Sequence, residues 1–198
     1  MRTHAVLAVV LALALAAAPV LAAPEVEITK VAVTEMTMNP DNALSQRPFE
    51  LEGGAGFYHY QGKYNPPPFG LTDAINATAP ADDLFHDGTV RFDLGWPNGE
   101  RELRKIVVWW SLRDSARSGI NVKFQVHDFT TGEWRDLTDF IRQDYPREAE
   151  MVGCLTLTLP EGEVKNFDSL RVIDGRRLIK APGTRWIEVE AYTFPDNK

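Results

Sequence analysis

Apolar residues in this chain recur at every second position, in short runs broken by turn signals. Val90, Phe92 and Leu94 alternate with Arg91 and Asp93. Val122, Phe124 and Val126 alternate with Lys123, Gln125 and His127, and Leu155, Leu157 and Leu159 with Thr156 and Thr158. Ile187, Val189 and Ala191 alternate with Glu188 and Glu190. Period two is the signature of a strand with one buried and one wet face. Ile106–Trp110 is apolar throughout, which at that length predicts a strand covered on both faces. Val26–Val33 and Leu170–Ile173 add two weaker strands, and Phe49–Leu51 a short one. Asn98-Gly99, Thr131-Gly132, Pro160-Glu161-Gly162, Asp174-Gly175 and Pro182-Gly183 supply the turns. No stretch beyond residue 24 carries an apolar stripe at helical spacing for three turns. The pattern predicts an all-β sandwich.

The first residues follow another rule. Arg2 and His4 open a short basic start, Ala5–Ala18 is almost wholly Ala, Val and Leu, and small residues follow at Val20 and Ala22. That is the form of a secretory signal peptide over residues 1–22, cleaved to leave 23–198 as one domain in a secreted, periplasmic or extracellular setting. No later stretch is apolar for the roughly 20 residues that span a bilayer. Twenty-one Lys and Arg stand against 28 Asp and Glu, for a net charge of −7. That balance argues against a nucleic-acid partner, which needs a basic footprint. Arg176-Arg177 is a two-residue basic spot, too small for a polyanion groove. Cys154 is the sole cysteine, so packing rather than an intrachain disulfide holds the core; within the apolar run Val152–Leu159 it reads as a buried, inert thiol.

One region breaks the alternation. The stretch 52–70 carries Gly53-Gly54, Gly56, Gly62 and Pro66-Pro67-Pro68 among Phe57, Tyr58, His59, Tyr60 and Tyr64. Three consecutive prolines lack ladder N–H groups, so a long loop packed by its own aromatics is expected there.

Several segments, taken in order, carry a family resemblance. Leu71-Thr72-Asp73 with Thr78 is similar to an Asp-Gly-x-x-x-Thr loop. Val90–Gly95 followed by Leu103–Val108 is similar to an Asp-Leu-Gly, Ile-x-x-Val pair of strands. Phe124–Leu137 looks like a strand–Asp-Gly–Trp hairpin, Arg113-Asp114 like an Arg-Asp loop pair, and Trp186–Tyr192 like a closing Glu-Ile-Glu-Val-Tyr strand. Together they resemble the discoidin, or coagulation factor 5/8 type C, family of galactose-binding-like domains. Ala74 stands where that family has Gly, Pro80 where many carbohydrate-binding members have Trp, and the closing cysteines of animal members are absent. The resemblance implies an eight-stranded antiparallel jelly-roll β-sandwich.

It also implies a site. A sugar offers hydroxyls and an apolar C–H face, so its site needs a flat aromatic beside Arg, His, Asn or Asp. In this family such groups sit on loops at one end of the sandwich. Here those loops supply Arg113, Asp114, Arg117, His86 and Asn121, with Trp96 as an aromatic platform. Trp109, Trp110, Trp134 and Trp186 read instead as core or hairpin packing, and His127 as a wet residue beside Lys123 and Gln125. Asp73, Asn76 and Thr78, with Glu188 reaching back from the last strand, would supply oxygens for a structural calcium ion, which takes about six to eight. Without the metal, Asp73 would start a turn and Glu188 would face water. No Gly-x-Ser-x-Gly elbow, zinc spacing among His59, His86 and His127, or Cys beside a His is present, so the chain reads as non-catalytic. The expectation is a secreted carbohydrate-binding, lectin-like module. The alternative is a structural or adhesive domain that meets a protein partner through Phe57–Pro68.

Overall fold

Two antiparallel sheets lie face to face in the computed structural model, which describes residues 23–37, 39, 41–45, 47–52, 58–59, 84–86, 88–94, 101–113, 115–182 and 184–194. The strands are β1 (Glu25–Ala32), β2 (Phe49–Glu52), β3 (Tyr58–His59), β4 (Leu84–His86), β5 (Thr89–Asp93) and β6 (Glu102–Ser111). There follow β7 (Ile120–Asp128), β8 (Glu133–Asp136), β9 (Ile141–Gln143), β10 (Met151–Thr158), β11 (Phe167–Asp174) and β12 (Thr184–Phe194). The first sheet runs β1-β10-β6-β12-β4-β3, and the second β2-β5-β11-β7-β8 with β9 also paired to β7. Among the described residues the remaining regular structure is two short 3-10 turns, Val33–Glu35 and Arg176–Ile179. The all-β sandwich expected from the alternation is therefore what the chain forms, and its two antiparallel sheets are consistent with the jelly-roll-like arrangement that the resemblance implied. Twelve strands are described where eight were expected, and β3, β4, β8 and β9 are the short additions.

The alternation dictates the core. Val90, Phe92, Val122, Phe124, Val126, Leu170 and Val172 face inward from the second sheet. They meet Ile106, Val108, Trp110, Leu155, Leu157, Trp186, Val189 and Ala191 from the first. Each such Val, Leu, Ile or Phe side chain contributes about 1.5–3 kcal/mol when fully buried. The Thr131-Gly132 and Pro160-Glu161-Gly162 signals also hold: Gly132 (φ 73°) and Gly162 (φ 80°) take the left-handed backbone those turns require.

The continuous run Ile106–Trp110 is covered on both sides, as its composition required. Val107 and Trp109 point away from the core into a second buried cluster with Val33, Met36, Val152, Cys154 and Ile187. Its cover is the segment between β1 and β2. Val33 N–H donates to Glu150 O (2.9 Å), Ala43 N–H donates to Ala191 O (2.7 Å), and Ala43 and Leu44 then enter the main core. This strap crosses the outer face of the first sheet and delivers Phe49 to the second.

β12 carries one irregularity. Trp186 pairs with Trp110 and Glu188 with Trp109, so Ile187 is an extra residue in the strand. The bulge moves Ile187 out of the core-facing register and into the outer cluster. Glu188, expected to be wet when no metal is bound, is instead fully buried. No helix among the described residues is long and apolar enough to cross a membrane. The signal segment 1–22, and all of 53–83 but the short strand β3, lie outside the described residues.

Candidate functional site

At the end of the sandwich where β11 stops and β12 starts, three connections meet around two buried charged residues, Asp174 and Arg176. Asp174 closes β11, and its Oδ1 accepts the Arg176 N–H (2.8 Å) while its Oδ2 accepts the Thr184 N–H (2.6 Å). One carboxylate thus spans the whole connection between the two strands. Burial raises its pKa above the usual 3.8, opposed by those two N–H bonds and by the Arg176 charge.

Arg176 is 5% exposed. Its Nε donates to Pro182 O (2.6 Å) and its Nη2 to Ala116 O (2.9 Å), tying the 175–183 connection to the 112–119 connection. Its Nη1 makes no hydrogen bond and lies 3.5 Å from Asp144 Oδ1, on the connection from β9 to β10. Gly119 makes this approach possible, because a Cβ there would collide with Arg176 Nη1 and crowd Asp144 Oδ1. Burial lowers the Arg176 pKa, Asp174 and Asp144 oppose that, and the nearby Arg142 and Arg117 charges add to it.

Around this buried centre stand more accessible groups. Arg142 grips Asp144 Oδ2 through Nε (2.8 Å) and Nη2 (2.5 Å), both side chains about half exposed. Phe140, 40% exposed, lies over Gly175, where any side chain would displace its ring. Leu178, on the 3-10 turn, is 71% exposed.

The residues expected from sequence distribute unevenly. Asn121 and Arg117 reach this end, and the His86 backbone does too, since His86 pairs with Thr184. Asn121 is occupied: its Nδ2 donates to Gly175 O (2.7 Å) and its O accepts the Gly175 N–H (2.6 Å). Arg113 lies on the same connection but engages other partners, donating from Nε to Ala149 O (3.1 Å) while its O accepts from Arg147 Nε (2.7 Å). Asp114, Trp96, the His86 side chain, Asp73, Asn76 and Thr78 lie outside the described residues, as does most of Phe57–Pro68. Of the four expected calcium donors only Glu188 is described, opposite Trp109 on the outer face of the first sheet.

Sequence reasoning missed Phe140, Arg142, Asp144, Asp174, Arg176 and Leu178. Asp174-Gly175 and Arg176-Arg177 were visible as a turn and a basic spot. Nothing in the sequence marks an arginine that is buried by its own loop.

The tryptophans discounted as platforms are packed. Trp110 and Trp186 are fully buried, and the Arg171 guanidinium covers Trp134 at 3.6 Å. His127 does share the outer face of the second sheet with Lys123 and Gln125, but is also paired to Asp168 at 2.7 Å. A second buried carboxylate lies under the strap. Glu190 accepts from Trp109 Nε1 (3.0 Å) and from the Tyr192 hydroxyl, and burial raises its pKa above the usual 4.5. Burial, with lesser help from the Glu190 charge, pushes the Cys154 thiol up to about 11, so the inert thiol expected from sequence is what the fold produces.

No protein-family model matches the chain, and no curated protein matches it either. Among solved structures, an exo-beta-1,3-galactanase from Phanerochaete chrysosporium, determined with galactose, aligns at 12% identity and a TM-score of 0.19. That alignment covers 74% of this chain and 29% of the galactanase chain.

Proposed function

We propose that this chain is a secreted, non-catalytic carbohydrate-binding module that holds a glycan at the sandwich end where the 112–119 and 175–183 connections meet. The observation that carries this reading is the burial of Arg176, which ties three connections together before any ligand arrives. A loop surface already ordered loses little conformational entropy on binding. Phe140 offers a ring face for sugar C–H groups, and the half-exposed Arg142 guanidinium offers planar donors for hydroxyls.

Isothermal titration of the full chain against galacto-oligosaccharides and polymeric glycans tests this. Binding in the micromolar to millimolar range is expected, weakened about tenfold by Phe140→Ala at unchanged thermal midpoint, a loss of about 1.4 kcal/mol. A panel negative throughout at millimolar sugar overturns it.

Leu178 favours a second reading. An aliphatic side chain 71% exposed offers no flat face to a sugar and suits a protein partner at the same end, as a structural or adhesive domain would use. In that case Leu178→Asp would abolish capture of the partner, while glycan titrations would stay flat. The calcium ion proposed for Asp73, Asn76, Thr78 and Glu188 would give the chain a higher thermal midpoint in excess calcium than in chelator, and equal midpoints would remove it.

A further inference from the structure

The cations at this end are more concentrated than the acidic balance of the chain suggests. The 175–183 connection holds Arg176, Arg177 and Lys180 and no acid, and the 112–119 connection holds Arg113 and Arg117 against Asp114. Arg142 joins them from β9. Asp144 is a described carboxylate set between the Arg142 and Arg176 guanidiniums from the solvent side. Its Oδ2 is held by Arg142 in a two-pronged grip, and its Oδ1 sits 3.5 Å from Arg176 Nη1. That Nη1 is buried without a hydrogen bond, beneath an acid whose own side chain is half exposed. Two guanidiniums facing one exposed carboxylate form a receptor for a planar anion, filled from within the chain.

Resting on the glycan-binding reading above, we propose that the site selects a carboxylate-bearing sugar, a uronate, whose carboxylate displaces Asp144 from between Arg142 and Arg176. Asp144 is then an internal competitor. It keeps the guanidiniums paired when the site is empty and swings outward when a ligand carboxylate takes its place. Phe140, two residues before Arg142 on the same approach, meets the pyranose face of that sugar. Arg176 is too little for a polyanion groove by itself, but in the fold its guanidinium shares Asp144 with that of Arg142.

The test titrates the full chain and its Asp144→Ala and Asp144→Asn variants with oligogalacturonate, neutral galacto-oligosaccharide, a sulfated polysaccharide and polyglutamate. The ratio of uronate to neutral affinity is expected to rise about tenfold in both variants and to fall about tenfold in Arg142→Gln. A site in which Asp144 is merely structural would lose affinity for both sugars together. Neutral binding with no rise in that ratio overturns the inference and leaves the glycan reading standing. An equal gain for sulfated polysaccharide or polyglutamate overturns the selection of a carboxylated sugar. Absence of binding to every sugar overturns both. Thermal midpoints of the two variants report on folding, and Asp144→Asn keeps the side-chain shape if the alanine variant does not fold.

Discussion

Asp174 and Glu190 are both carboxylates buried at the margins of the sandwich, and both have pKa values raised by burial. They are satisfied in different ways. Asp174 takes two main-chain N–H groups, from Arg176 and Thr184, and thereby sets the path of the chain between β11 and β12. Glu190 takes mainly side-chain donors, from Trp109 and Tyr192, with the Asn39 N–H of the strap as a lesser contributor, and sets chiefly how those side chains stand beneath the strap. Backbone donors cannot be redesigned away, whereas side-chain donors can turn or be replaced. A carboxylate of the first kind is therefore tied to loop geometry, and one of the second kind to packing.

Asp174→Ala should separate the two most sharply. It leaves two buried N–H groups without acceptors, which costs roughly 3 kcal/mol at 1–3 kcal/mol for each group. Urea denaturation should show the midpoint falling accordingly, and sugar binding should vanish with the order of the 175–183 connection. Gly119→Ala comes next, because the added methyl must push aside Arg176 Nη1 and Asp144 Oδ1. About 2 kcal/mol is expected from this overpacking, with weakened glycan binding in the same titrations. A Gly119→Ala variant of native stability would mean that the buried arginine is not fixed by that contact.

Glu190→Gln should be mildest, about 1 kcal/mol, since the amide oxygen still accepts one donor and the Tyr192 hydroxyl can turn to accept from the amide nitrogen. Its signature is in pH. A carboxyl whose folded pKa lies above its unfolded value binds its proton more tightly in the native state. Stability from that source is complete below the ordinary value of 4.5 and is lost as pH rises through the raised value. Thermal midpoints measured upward from about pH 4 should thus fall less steeply in Glu190→Gln than in the parent chain. Parallel slopes would show that Glu190 does not titrate in that window.

The inward faces were legible because alternation is a local property. Val122, Phe124 and Val126 read correctly one by one, and so did the double cover of Ile106–Trp110. Turn glycines were legible for the same reason, as Gly132 and Gly162 show. What failed was non-local. Alternation with Ile187, Val189 and Ala191 put Glu190 on the wet face, and Glu188 too unless it held a calcium ion. The bulge at Ile187 and the strap from β1 to β2 bury them, and neither feature leaves a mark on β12 itself. The candidate site shows the same limit. Resemblance drew attention to Arg117 and Asn121, which the fold brings to the end where β11 stops and β12 starts, yet Asn121 is committed to Gly175 and that end is organised by Asp174 with Arg176. A buried arginine next to Gly119 depends on two segments far apart in sequence, so no window of residues announces it.

The order of strands also has a temporal meaning. β12 lies inside the first sheet, between β6 and β4, and its Ala191 carbonyl receives the strap that begins near residue 33. A ribosome that has released residues up to 183 has therefore exposed Trp110 and Val108 with nothing to pair them on one side. Pairings so distant along the chain are slow to form, and an incomplete sheet presents an open edge to neighbouring chains. Folding must wait until β12 has been made, and a shortened message ending before Thr184 should yield an aggregating product rather than a smaller domain.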